Sequence, residues 1–270
     1  YGWDAMQGRS KPGHMLVGLA LNLVGTALMG LSNYWATFMM APSGVDAQGV
    51  FTGSVWAAVA GPLWTPLNVH RFLANIAYGG AIVGAYAAYK FIAARTPAEK
   101  AHYDWMGHTA NGVAIVALLP LPFAGYWMTK EIYEYSQQMG ITLMGGVFAW
   151  LFIIQAVLIG PIFLAANFYL WCGLARIDGS RRTDHLIKYI AGVLVVCFLV
   201  WFTPHTLVMT ARETAAIGGA YHPVLGPLGV MSAKNTAVNI MILATFLTYQ
   251  LFRRSMVRSP GSWVARATRK

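Results

Sequence analysis

Charge is what this chain has least of. Only 10% of its 270 residues are Asp, Glu, Lys or Arg, and just nine of them are acids. A soluble domain carries about 25% charged residues, so a water-facing globular fold is excluded. Cysteine is nearly absent: Cys172 and Cys197 are the only two, each inside an apolar run. Two isolated thiols give neither a disulfide framework nor a Cys-ligated metal site. Both are expected to be small buried hydrophobes. No internal repeat, low-complexity tract or soluble domain interrupts the chain. No charged n-region precedes a short apolar run, so no signal peptide is expected.

What is present is apolar. Hydrophobic residues make up 57% of the chain, and mean hydropathy is +0.52. Six stretches meet the requirement of roughly 20 mainly apolar residues for a bilayer crossing: 14–40, 66–93, 104–128, 142–174, 186–208 and 235–252. The expected fold is all-α, a polytopic membrane helix bundle of about six transmembrane helices, forming one transmembrane domain over 1–270. Ten Trp and thirteen Tyr suit the two interfacial belts.

The basic residues orient the bundle. Fifteen of the nineteen Lys and Arg fall on one side, leaving Arg71, Lys130, Arg212 and Lys234 on the other. The positive-inside bias then predicts both termini in the cytoplasm and loops 41–64, 129–141 and 209–234 outside. The net charge of +10 is confined to loops and acts as a topology signal, so no nucleic-acid partner is expected.

The span opening at Thr65 carries the most informative pattern, TPLNVHRFLANIAYGGAIVGAYAAYKFI. His70 sits beside Arg71 near one end, and Ala74, Ala77, Gly79, Gly80 and Gly84 run along its length. An ionisable side chain in a membrane helix is a functional-site hypothesis by default. The small residues admit either a flat ring or a neighbouring helix. On the predicted topology Met144 starts the fourth span at the level of His70. Imidazole and thioether form an axial haem pair that raises the potential relative to bis-His. No Cys-x-x-Cys-His exists, so covalent haem attachment is excluded. The plainer readings are a His70 bonded to a backbone carbonyl at the interface and a Met144 that merely fills the core. His205 and His222 also fall on the outer side; His14, His102, His108 and His185 fall near the inner side.

From Gly2 to about Phe252 the chain resembles the C-terminal part of subunit I of the cytochrome bd quinol oxidases. HMLVGLALNLVGTALMGLSNYWATFMMAP, from His14 to Pro42, looks like that family's fourth helix, which ends in a GWMQ-P-like sequence. Phe38, Met39, Met40 and Ala41 stand where the family's Trp and Gln would be. HRFLANIAYGGA from His70 is similar in spacing to the helix whose His ligates the low-spin haem b. ITLMGGVFAW, from Ile141, looks like the segment carrying the Met ligand. ARETAAIGG, from Ala211, is close to the family's GRQPWAIGE.

The resemblance implies haem b held by His70 and Met144, near the outer face of a bacterial or archaeal cytoplasmic membrane. It leaves His205 as a ligand for a second haem and Arg212 as a partner for a haem propionate. The family's three N-terminal helices, which ligate its high-spin haems, are absent from this sequence, and Phe202 falls about where a family acid would be. A partner subunit is therefore expected to supply them, and the chain is not expected to be catalytic alone. The long quinol loop shrinks to YWMTKEIYEYSQQ, with Lys130, Glu131 and Glu134 as the charged remnant of a quinol site or as a solvated turn. Two alternatives stand beside the oxidase-like subunit. One is a haem b anchor passing electrons between quinone and a periplasmic cytochrome or iron–sulfur subunit. The other is a haemless structural subunit. A transporter is disfavoured by the lack of an inverted repeat.

Overall fold

The computed structural model describes residues 10–59, 61–144, 148–176, 181–203 and 232–258. They form nine helices: α1 (Lys11–Met40), α2 (Val55–Val59), α3 (Trp64–Ala93), α4 (Pro97–Leu118), α5 (Leu121–Tyr135), α6 (Gln137–Met144), α7 (Ala149–Leu174), α8 (Arg181–Phe202) and α9 (Ser232–Arg258). The stretches Lys11–Met40, Trp64–Ala93, Pro97–Tyr135, Trp150–Leu174 and Ala233–Met256 are long and apolar enough to cross a membrane. Leu186–Phe202 is apolar but shorter. The chain is an all-α, multi-pass membrane protein, and its many outward-facing Leu, Val and Ile side chains meet lipid rather than water.

Helix starts follow local chemistry. The Gly13 N–H bonds the Ser10 hydroxyl at 3.1 Å, with a proline in the first turn of α1. At α4 the TPAE sequence closes a capping box. Glu99 N–H donates to the Thr96 hydroxyl at 3.2 Å, and Thr96 N–H donates to the Glu99 carboxylate at 3.2 Å. Pro120 separates α4 from α5 by withholding the N–H that a continuous helix needs.

The chain divides into two compact units, Tyr1–Phe72 and Leu73–Lys270, with α3 running across the boundary. In the first, α1 is followed by a tight connection. Gly44 and Gly49 adopt φ of +77° and +80°, the left-handed region that glycine enters without steric cost. Asp46 stabilises that turn by accepting from the Gln48 and Val50 N–H groups at 3.0 and 2.9 Å.

In the second unit the packing partners give the helix directions. Phe152 meets Lys234, and Asn167 meets Thr245, so α7 and α9 run parallel. Asp104 meets Arg176, and Asn111 meets the Ala166 carbonyl, so α4 runs antiparallel to α7. One core cluster joins Ala77, Leu118, Phe163, Leu194 and Met241, drawing on α3, α4, α7, α8 and α9. A second holds Ile115, Leu170, Leu174, Ile187 and Phe252.

Among the glycines of α3, Gly80 serves helix packing. A Cβ at Gly80 would lie 2.8 Å from the Ala110 carbonyl oxygen and 2.9 Å from the Ala114 nitrogen. These are backbone atoms and cannot swing aside. A side chain at Gly84 would meet nothing within 4 Å. Gly80→Val is therefore expected to lower stability in detergent by at least about 1–3 kcal/mol, with Gly84→Val close to neutral. Thermal unfolding of the two purified variants checks the contrast.

Three local features differ from the sequence expectation. The expected 129–141 loop is helical: α5 continues to Tyr135, and α6 begins at Gln137. Residues 142–174 carry the end of α6 and the whole of α7, where the sequence suggested one span. Cys197 is buried as expected, but Cys172 is exposed on the outside of α7.

Candidate functional site

A polar clasp joins α1 to the start of α3 in the first unit. Asn33 is fully buried. Its amide donates to Asn68 Oδ1 at 2.9 Å, and its own Oδ1 accepts from Arg71. Asn68 also donates to the Trp64 carbonyl at 2.7 Å, and the Trp64 indole donates to the Gly30 carbonyl at 3.2 Å. Amides exchanging hydrogen bonds across two helices fasten them where lipid offers no alternative partner.

His70 stands next to this clasp on α3 and is half-buried. Its imidazole makes no hydrogen bond among the described residues. Arg71, its neighbour, is engaged by Asn33. An imidazole set in a membrane helix with neither nitrogen engaged suits a metal ligand. Met144 ends α6, in the second unit, whereas His70 lies in the first. His205 and Arg212 lie outside the described residues, as does His222.

Lys130, Glu131 and Glu134 share α5. Lys130 pairs with Glu134 at 2.8 Å, one turn away, with their side chains 42% and 51% exposed. The Trp127 indole donates to Glu131 at 3.1 Å. Such an exposed i, i+4 pair contributes only about 0.3–0.5 kcal/mol. The three charges thus decorate a helix surface, and no loop folds over them among the described residues.

Deeply buried charges lie elsewhere: Lys234 on α9, 2% exposed, donates to the Trp201 carbonyl at 2.9 Å, and a second group gathers on α4. Asp104, on α4, is 2% exposed, and His108, one turn on, is 7% exposed. Arg176, just past the end of α7, reaches Asp104 Oδ1 at 2.6 Å and donates to the Cys172 carbonyl at 3.2 Å. His108 Nδ1 faces two acceptors, the Asp104 carbonyl at 2.9 Å and the Asp104 carboxylate at 3.4 Å. A nitrogen facing two acceptors carries the proton. The imidazole is clamped by Phe252, stacked at 5.0 Å, and by Tyr169 at 4.7 Å. Its far edge lies against Gly173, where any Cβ would collide with it. This packing holds His108 as part of a wall, without room for a porphyrin at that edge.

Sequence reasoning named His108 and passed over Asp104 and Arg176. The signal was available: an Asp and a His four residues apart inside an apolar span fall on one helix face, and an intramembrane acid needs a partner. Among the described residues no three His, Cys, Asp or Glu side chains gather to hold a metal ion. A haem needs only one or two axial ligands, so its fit is judged at His70. No family model, curated protein or solved structure matches the chain.

Proposed function

We propose that this chain is a haem b-carrying membrane subunit of a respiratory electron-transfer complex, similar to the C-terminal part of subunit I of the cytochrome bd quinol oxidases. The observation that carries the reading is His70. It is a half-buried imidazole on a helix long enough to cross the bilayer, unengaged by hydrogen bonds among the described residues. His70 and Met144 would hold the iron, and the bound haem would supply one-electron transfer. The Arg71–Asn33 hydrogen bond ties the turn of α3 that carries His70 to α1. Arg212 would neutralise a propionate, and His205 would serve a second haem if one is present.

The termini face the cytoplasm of a bacterial or archaeal cell on this reading, because the basic residues gather on that side. A second membrane subunit supplies the helices that carry the oxygen site. Electrons arrive from quinol or from a periplasmic redox subunit. The ion-paired setting of Lys130 and Glu134 favours a surface role for these residues over proton transfer from quinol.

A pyridine haemochrome assay and a reduced-minus-oxidised spectrum of the purified protein test this. At least one haem b per chain is expected. Protein isolated intact and free of haem would overturn the reading and leave the structural-subunit alternative.

A further inference from the structure

The cations of this chain differ in what they face. Lys130 has the Glu134 carboxylate, and Arg176 has that of Asp104. Lys234 has the Trp201 carbonyl and the Phe152 ring, and Lys90 lies over the Tyr86 ring. Arg71 faces a neutral amide. It donates to Asn33 Oδ1 and makes no ion pair among the described residues. Asp46, the one acid among the described residues of the first unit, is engaged by the Gln48 and Val50 N–H groups of its own turn.

The surroundings of Arg71 are nevertheless built. Asn33 is fully buried. Both ends of its amide are placed, the nitrogen by Asn68 and the oxygen by Arg71. Asn68 is placed in turn by the Trp64 carbonyl. This chain of bonds fixes Nη1 of the guanidinium against α1. Arg71 is otherwise exposed, so the rest of the group faces outward. A guanidinium carries five N–H donors in a rigid fork. With one nitrogen held, a second edge stays open for a bidentate contact. Asn33 and Arg71 each lie about two turns from the connection between α1 and α3, since α1 ends at Met40 and α3 starts at Trp64. A long cationic side chain that near a membrane helix end reaches the headgroup layer.

We infer that Arg71 holds the phosphodiester of an anionic phospholipid, with Asn33 as the residue that positions the guanidinium. The anion a cation meets in the headgroup layer is lipid phosphate, and its non-bridging oxygens match the fork. The same residues disfavour a zwitterionic headgroup. An ammonium group beside Arg71 would be repelled, and Asp46 is already engaged within its turn. The site uses the guanidinium of Arg71, not the imidazole of His70, and does not rest on the haem reading.

The purified full chain in nanodiscs of mixed phosphatidylglycerol and phosphatidylcholine tests the inference, with retained lipids counted by native mass spectrometry. Basic residues elsewhere in the chain also attract anionic lipid, so the readout is the difference between wild type and variants. The preference of wild type for phosphatidylglycerol is expected to exceed that of Arg71→Gln about fivefold. Arg71→Lys keeps the charge and loses the fork, so its preference is expected to fall between the two. Asn33→Asp gives Arg71 a carboxylate within the chain and is expected to lose the preference as Arg71→Gln does. If Arg71→Gln fails to fold, Arg71→Lys and Asn33→Asp carry the test. A wild-type preference in the folded variants would overturn the proposal, and so would a wild-type chain that retains the two lipids equally. Release of phosphatidylglycerol by inorganic phosphate at constant ionic strength would also overturn it, by making the site one for free phosphate. Haem content is read in the same samples, so the two readings fail separately.

Discussion

Arg176→Met is expected to destabilise the protein by up to about 3–5 kcal/mol, because it removes the closer of the two partners of the buried Asp104 carboxylate and leaves only His108 Nδ1 at 3.4 Å. The Asp104 side chain is 3% exposed and that of Arg176 18%. The carboxylate has no route to water, whereas the guanidinium has a partial one. It also keeps the Cys172 carbonyl and the face of Phe91, 5.0 Å away. The reverse change, Asp104→Asn, is therefore expected to cost less. The double change Asp104→Asn, Arg176→Met removes both charges and should recover most of the loss, since replacing a buried pair by neutral groups is often close to neutral. Chemical or thermal unfolding in detergent measures all three. A double variant as unstable as Arg176→Met would mean that packing around Arg176, not its charge, is what matters.

His70→Ala is expected to abolish the low-spin haem signal altogether while leaving the helices intact. His70 takes no part in the hydrogen bonds that join α1 to α3; those belong to Asn33, Asn68 and Arg71. On the proposed reading its loss removes an iron ligand without opening the clasp. Met144→Leu is expected to act differently. It keeps the apolar volume and removes the thioether, so haem remains with a lower potential or an open coordination position. A His70→Ala protein with a wild-type spectrum would assign the iron to another residue. An unchanged potential in Met144→Leu would remove Met144 from the ligand set.

The TPAE cap and Pro120 are local signals that span lengths alone do not use: the helix starts at Pro97 and ends at Leu118, where 104–128 is expected as one span. The apolar lengths of the long helices were legible in the sequence. The side chains that join different helices were not. Nothing in a linear spacing pairs Asn33 with Asn68, or Asp104 with Arg176, because those contacts arise only when two helices cross. The alternation of Lys130 and Glu134 at i, i+4 is a helical pattern. The segment is expected as a loop because its charges interrupt the apolar run between spans 104–128 and 142–174. Gly80 illustrates a half-legible case: its size announced a close approach, but only the packed structure shows that Ala110 and Ala114 make it.

The Asp104 cluster and the His70 region also divide the chain's ionisable groups by role. Asp104 pairs with both His108 and Arg176, and the Arg176 contact holds α4 to α7. The His70 side chain is half-buried and makes no hydrogen bond among the described residues. That difference is the reason for assigning cofactor chemistry to His70 and structural work to His108.

A density map of the intact complex, purified in native lipid, tests the haem assignment most directly. The expected result is one macrocycle with the His70 imidazole on one face of its iron and the Met144 sulfur on the other. Lipid or protein filling the space in front of His70, or a macrocycle ligated elsewhere, would contradict it.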